Sequence, residues 1–399
     1  MRDPGDAPQR AVRTLALTTL QQIGLTMVRF GLPVLVPFVR DDLRLSLVQA
    51  GILLAALDVG GLAAFIPTGI VADRWGERRV LVAGGVLMGA AAALAALAPT
   101  YGFLLAGLTL AGTGFPSGHT AGSKMIVRQF PARSRGLAIG VRQAGLPVGG
   151  AIAALWIPAL ASLGGWRLSL AAVGAACAVF GLWCLALPRE ENLPGAAGAA
   201  ALPTLAFDRD FWLVSLMAST LVVGQFTLQG YLPLFLVDEH RWAPSAAGRL
   251  LVFVHAGGVV GRLLWGTVSD RLAGGRRKPV LTWVIVGGAL ILVALSRFPA
   301  GAGAWLAGVV AFVGGTFLVG WNGLAVALIV ERVGAAHAAT ALGVALTVLF
   351  LGTIGGTPLF GWIVEQSGAY APAWLFVAAC QVAAWASLST ARERVSPSG

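Results

Sequence analysis

The chain has 399 residues; 57% are hydrophobic, 11% are charged, and the mean hydropathy is +0.81. Soluble domains carry about 25% charged residues, and a water-soluble body of this size has too little interior for so much apolar side chain. Disorder is excluded on the same composition, and the net charge of +11 follows the membrane-topology pattern described below rather than a nucleic-acid surface.

Twelve apolar stretches are long enough to cross a bilayer as helices, which needs about 20 residues each. In chain order they are 13–39, 47–72, 80–98, 101–123, 136–161, 167–187, 211–237, 247–268, 280–296, 303–328, 338–364 and 372–390. They are numbered here as spans 1 to 12. They are too long and too evenly apolar for barrel strands. An even number of spans puts both termini on one side. The termini and the loops on their side hold 19 of the 28 Lys and Arg, the opposite loops hold six, and three lie inside spans. By the positive-inside rule both termini are expected in the cytoplasm, in a multi-pass protein of the cell membrane. No signal peptide is expected, because the apolar stretch after Arg13 runs on to Val39. The three cysteines, Cys177, Cys184 and Cys380, read as small packing residues.

Residues 49–74 and 246–271 align without a gap at an offset of 197, with ten of 26 positions identical. Span 2 therefore matches span 8. The expected organisation is a first six-helix half, 1–187, a cytoplasmic linker, 188–210, and a second half, 211–399. Such parallel repeats rock about a midplane site in many transporters.

The stretch Gly69-Ile-Val-Ala-Asp73-Arg74-Trp-Gly76-Glu-Arg78-Arg79 resembles the signature loop between helices 2 and 3 of the major facilitator superfamily, and Gly266, Asp270 and Arg271 repeat it. The resemblance implies an all-α integral membrane protein of twelve transmembrane helices in two pseudo-symmetric six-helix bundles. It implies that Gly69, Asp73, Arg74, Arg78, Gly266, Asp270 and Arg271 form a conformational gate, with Asp73 meeting the region of Ala336–Thr340. Gly69 and Gly266 are read as points of close backbone approach. Residues 136–150 in span 5 are similar to the Gly/Pro-rich motif of antiporters in that family, with the proline displaced by one to Pro147.

Polar residues mark spans 1, 4, 7 and 10: Gln22, Thr26 and Arg29; Ser117, His119 and Thr120; Gln225 and Gln229; Thr316 and Asn322. Spans 3, 6, 9 and 12 are nearly bare, the period of three that the family uses to separate cavity helices from lipid-facing ones. Four formal charges lie inside spans: Arg29, Asp58, Arg142 and Arg262. Each costs about 2.5–3.5 kcal/mol at a helix centre unless it is paired or hydrated. Arg262 sits eight residues before Asp270, about 12 Å from the span end, and an Arg fork there suits a carboxylate. The sequence around it is similar to helix 8 of the monocarboxylate and oxalate/formate branches, whose anion-binding Arg also precedes a Gly by four. Arg29 reads equally as a cavity cation or as the partner of Asp58, and Arg142 as a packing or gating residue.

The expected substrate site comprises Arg29, Arg262, Gln22, Thr26, His119, Gln225, Gln229 and Asn322. Asp58, whose repeat mate is His255, is the expected proton-coupling residue, with His255 second. A fixed Asp58–Arg29 bridge is the competing reading. The expected function is secondary active transport of a small organic anion or monocarboxylate, as a symporter working by alternating access with a proton or other coupling ion. A proton-coupled efflux carrier for drugs or metabolites is the alternative. No phosphate-binding loop, metal cluster or cofactor motif occurs, so no cofactor, no enzyme activity and no nucleic-acid partner are expected. A monomer in the lipid bilayer is expected.

Overall fold

In a computed structural model, residues 7–130, 132–188, 208–299, 301–333 and 338–392 are described. They are helical almost throughout, with no strand among them. Backbone groups in hydrocarbon must bond within their own segment, and a helix does this without help from a neighbour.

Ten helices are long and apolar enough to cross a membrane by length and composition. The twelve spans of the sequence are recovered once local distortions are followed, among them breaks in span 8 at Leu250 and in span 10 between Leu318 and Asn322. The helix Ala132–Trp183 leaves helical geometry at Gly164 and Gly165, where Gly165 takes φ +71°, so it comprises spans 5 and 6 joined by a glycine corner. Span 4 is broken into Tyr101–Gly112, a π-turn at Gly118–Gly122 and Ser123–Gln129. The remaining spans are Ala7–Leu43, Leu47–Trp75, Glu77–Ala95, Arg209–Asp238, Pro244–Arg271, Arg277–Ser296, Ala304–Val333, Ala338–Ser367 and Tyr370–Thr390.

The chain divides into two compact units. One gathers Met1–Arg44 with Ala56–Gly195, the other Leu45–Ala55 with Ala196–Gly399. Leu45–Ala55, which the repeat assigns to the first half, makes its contacts in the second unit. There Tyr231 Oη lies 2.7 Å from the Thr357 carbonyl and 3.1 Å from that of Leu47. The expected linker, 188–210, lies outside the described residues except for its ends.

The repeat is visible in packing. In the first unit a Cβ on Gly60 would strike the Thr109 carbonyl, and one on Gly112 the Leu57 carbonyl. In the second, Gly257 faces the Phe312 carbonyl and Gly315 that of Val254 in the same way. Spans 2 and 4, and again 8 and 10, thus cross backbone to backbone at glycines. The span ends repeat as well. Asp42 accepts hydrogen bonds from Trp166 Nε1 at 2.8 Å and Arg167 Nη1 at 2.7 Å, tying span 1 to span 6. Asp238 accepts from Tyr370 Oη at 2.6 Å and ties span 7 to span 12.

One sequence expectation, made for two glycines, is corrected here. Gly69 and Gly266 are not points of close approach, since a Cβ on either meets nothing within 4 Å. Helices that touch at a crossing diverge on either side of it, and nine residues past Gly60 and Gly257 they have already done so. Gly149, in turn, packs against Thr26 and the Ile23 carbonyl, so this glycine of span 5 serves helix packing.

Candidate functional site

In the first unit the two deep charges of spans 1 and 2 meet. Arg29 Nε donates to Asp58 Oδ1 at 3.0 Å, and Nη2 donates to the same oxygen. Asp58 is 3% exposed. The Arg29 guanidinium lies 5.0 Å from the centroid of Phe115 and 5.5 Å from that of Phe30. His119 continues the stack, its ring 4.9 Å from Phe115 and 6.2 Å from Phe65. Its Nδ1 is buried without a hydrogen-bond partner. Aromatic faces suit a cation that has lost most of its water, and the carboxylate neutralises it.

A second polar cluster surrounds the π-turn of span 4. The wider turn interrupts the regular helical ladder, and Arg142 Nη2 donates to the Gly118 carbonyl. The same guanidinium donates to Gln22 Oε1 at 2.7 Å and to Ser123 Oγ at 3.2 Å. Gln21 Nε2 donates to Ser117 Oγ at 3.1 Å. Arg142 therefore joins spans 1, 4 and 5. Gln22, expected at the substrate, is engaged by Arg142 through its carbonyl oxygen. Thr26 donates to the Gln22 carbonyl at 2.9 Å and lies 3.2 Å from that of Gly145, so its hydroxyl is occupied in helix packing.

In the second unit span 8 carries His255 and Arg262, seven residues apart and so on one face. His255 is 2% exposed. Arg262 is half-buried; its Nε is buried without a hydrogen-bond partner, and no carboxylate among the described residues pairs with it. One turn on, Trp265 Nε1 donates to the Thr316 carbonyl at 2.8 Å and closes span 8 against span 10. Asn322 Nδ2 donates to Gln225 Oε1 at 3.0 Å, linking spans 10 and 7. Gln229, 1% exposed, has neither amide atom hydrogen-bonded. Gln381 on span 12 likewise has neither amide atom hydrogen-bonded, so what sets Arg262 apart is a deep guanidinium with no carboxylate partner among the described residues.

The expected gate is partly described. The Asp73 side chain lies outside the described residues, as does the segment 334–337, which includes part of the region expected to meet it. Arg74 and Arg271 are exposed and Arg78 half-buried. Asp270 accepts from Arg277 Nη1, which also reaches Ser269 Oγ at 2.9 Å, while Arg277 Nη2 lies 3.1 Å from Glu331. The first unit has Glu77 paired with Lys124 at 3.1 Å, the same span-3-to-span-4 connection with the charges exchanged. Arg332 gathers Asp208 at 2.8 Å and Asp210 at 2.7 Å. In the sequence Lys124 and Arg332 read only as topology charges, and Arg277 as part of the second copy of the signature loop. Most of their acidic partners lie tens of residues away, so no local pattern exposes them.

Residues 18–357 match the Major Facilitator Superfamily. The chain belongs to that superfamily. It is 26% identical over 386 residues to the hexuronate transporter of Bacillus subtilis, covering 91% of this chain and 90% of the relative. It is 26% identical over 371 residues to the 3-(3-hydroxy-phenyl)propionate transporter of Escherichia coli, covering 90% and 89%. Among solved structures, a bacterial homolog of the human lysosomal transporter Spinster aligns over all of both chains with a TM-score of 0.81 and 19% identity. The protein is thus a multi-pass membrane protein of a transporter family with the major facilitator fold.

Proposed function

We propose that the protein is a secondary active transporter of a small organic anion, with a carboxylate as the recognised group. The observation that carries this reading is the contrast between two deep guanidinium groups. Arg29 is neutralised by Asp58, whereas Arg262 has no carboxylate partner among the described residues and a buried, unsatisfied Nε. A planar fork without an acid partner in a low-dielectric setting favours a bidentate anion. Gln229, on span 7 of the same unit, has an amide that can both donate and accept. Relatives named for hexuronate and for a phenylpropionate, both carboxylates, support the same class.

The remaining elements of the reading are alternating access between the halves, coupling to a proton, cytoplasmic termini in the cell membrane, a monomeric carrier and no catalysis of a reaction. Proton coupling rests on Asp58 and His255. Protonation of Asp58 removes the charge that Arg29 pairs with, which would link proton uptake to the contact between spans 1 and 2. The test is a thermal-shift screen of purified protein against aliphatic and aromatic carboxylates, nitrate-like anions and cationic drugs, with Arg262→Ala as the control. Stabilisation by carboxylates, lost in Arg262→Ala, is expected. Stabilisation by cations alone would overturn the reading in favour of a drug carrier.

A further inference from the structure

A second charged site lies away from the midplane, where spans 9 and 12 meet one membrane face. A depression of about 650 Å3 is lined by Arg276, Lys278 and Arg392, together with Pro279, Ser389 and Thr390. Arg276 and Arg392 are exposed. No acidic side chain lines it among the described residues. The acids Asp270 and Glu331, on spans 8 and 10, are held by Arg277, and the Arg276 and Arg392 side chains stay exposed on the rim.

Local structure builds the depression. Gly274 and Gly275 take φ +59° and +78°, conformations that glycine adopts without the cost of a side chain. They turn the chain tightly after span 8 and bring Arg276 to the start of span 9. Lys278 Nζ donates to the Ala391 carbonyl at 2.6 Å and the Ser389 carbonyl at 3.2 Å. The ammonium thereby caps the end of span 12 and forms the floor.

What lies beneath the rim distinguishes the ligand. Trp283 on span 9 is 54% exposed and Trp385 on span 12 is 46% exposed. They stand five and four residues into their spans from Lys278 and Ser389, about 6–8 Å deeper at 1.5 Å per residue. Val286, Leu290 and Val382 continue the exposed apolar surface inward. Exposed indoles at this depth belong to the boundary between headgroups and acyl chains. Basic pockets between spans at a membrane face suit anionic headgroups.

We infer that the depression between Arg276, Lys278 and Arg392 binds the phosphate-bearing headgroup of an anionic phospholipid whose acyl chains lie along spans 9 and 12. This inference is independent of the transported substrate. Native mass spectrometry of the full chain tests it with phosphatidylglycerol, phosphatidylcholine and inorganic phosphate as separate probes. Phosphatidylglycerol is expected to bind more tightly than phosphatidylcholine. In the double variant Arg276→Gln/Arg392→Gln that preference weakens by about fivefold for each charge removed. Both side chains are exposed, so the variant's unfolding temperature in phosphatidylcholine should equal that of the parent. An unchanged preference in the double variant overturns the proposal. Inorganic phosphate binding as tightly as phosphatidylglycerol overturns the lipid assignment.

Discussion

Arg29 and Asp58, 29 residues apart in sequence, form a buried ion pair between the first two spans, with Nε 3.0 Å from Oδ1. The pair neutralises two of the four charges held within the spans. It also ties spans 1 and 2 together through charge, because either side chain without the other would be a buried, uncompensated ion.

Removing one partner leaves the other charge buried and uncompensated. Asp58→Asn is expected to cost about 3–5 kcal/mol of stability, read as a lower unfolding temperature in detergent. The double variant Arg29→Met/Asp58→Leu should recover much of the loss. In proteoliposomes Asp58→Asn should also abolish proton-driven accumulation of substrate while leaving exchange intact. Accumulation at the parental level would remove Asp58 from coupling.

The glycine crossings give a paired stability test. Gly60→Leu and Gly257→Leu force a side chain into the Thr109 and Phe312 carbonyls. Each should cost at least about 1–3 kcal/mol, the usual penalty of overpacking. Gly69→Ala and Gly266→Ala, which meet nothing within 4 Å, should stay within about 0.5 kcal/mol of the parent. Unfolding temperatures of the four variants decide whether close approach lies at the crossings or in the signature loops.

Acid sensitivity is expected at the start of span 7. Partial burial works to raise the Asp208 pKa, but hydrogen bonds from Arg332 and from the Phe211 and Asp210 amides outweigh it and hold the carboxyl below its ordinary value of 3.8. A pKa lowered by folding contributes stability above the unfolded value, and that stability is lost as pH falls through the native value. Unfolding temperature should therefore drop below about pH 3.8, and Asp208→Asn should flatten that part of the profile. An equally steep profile in the variant would place the acid sensitivity elsewhere.

Arg262→Lys preserves the charge and removes the fork. Carboxylate affinity should fall by about 10–100-fold, the equivalent of one or two charge-assisted hydrogen bonds, and Arg262→Ala should abolish binding. Equilibrium binding of a labelled carboxylate measures both. Equal affinity in Arg262→Lys and the parent would show that no bidentate contact is made.

Much of the architecture is legible in the sequence. Most spans emerge as separate helices; the exceptions are spans 5 and 6, joined at a glycine corner, span 4, interrupted around a π-turn, span 10, interrupted between Leu318 and Asn322, and span 8, broken at Leu250. The repeat at offset 197 pairs Gly60 with Gly257, and both are crossing points. The site is less legible. The polar face of span 1 reads as one unit, yet Gln22 turns to Arg142, Thr26 to span 5 and Arg29 to Asp58. A helical wheel gives a direction but not the neighbour waiting there.

Hydropathy, span length and short motifs are local properties of the chain, and they suffice for the membrane class, the spans, the twofold repeat and the superfamily. The folded helices were needed to learn that Arg29 is neutralised while Arg262 has no acid partner among the described residues. They were needed equally to learn that backbones meet at Gly60 and Gly257 rather than at Gly69 and Gly266. Pairing energies and steric contacts depend on distances between helices, and the linear order of residues does not contain those distances.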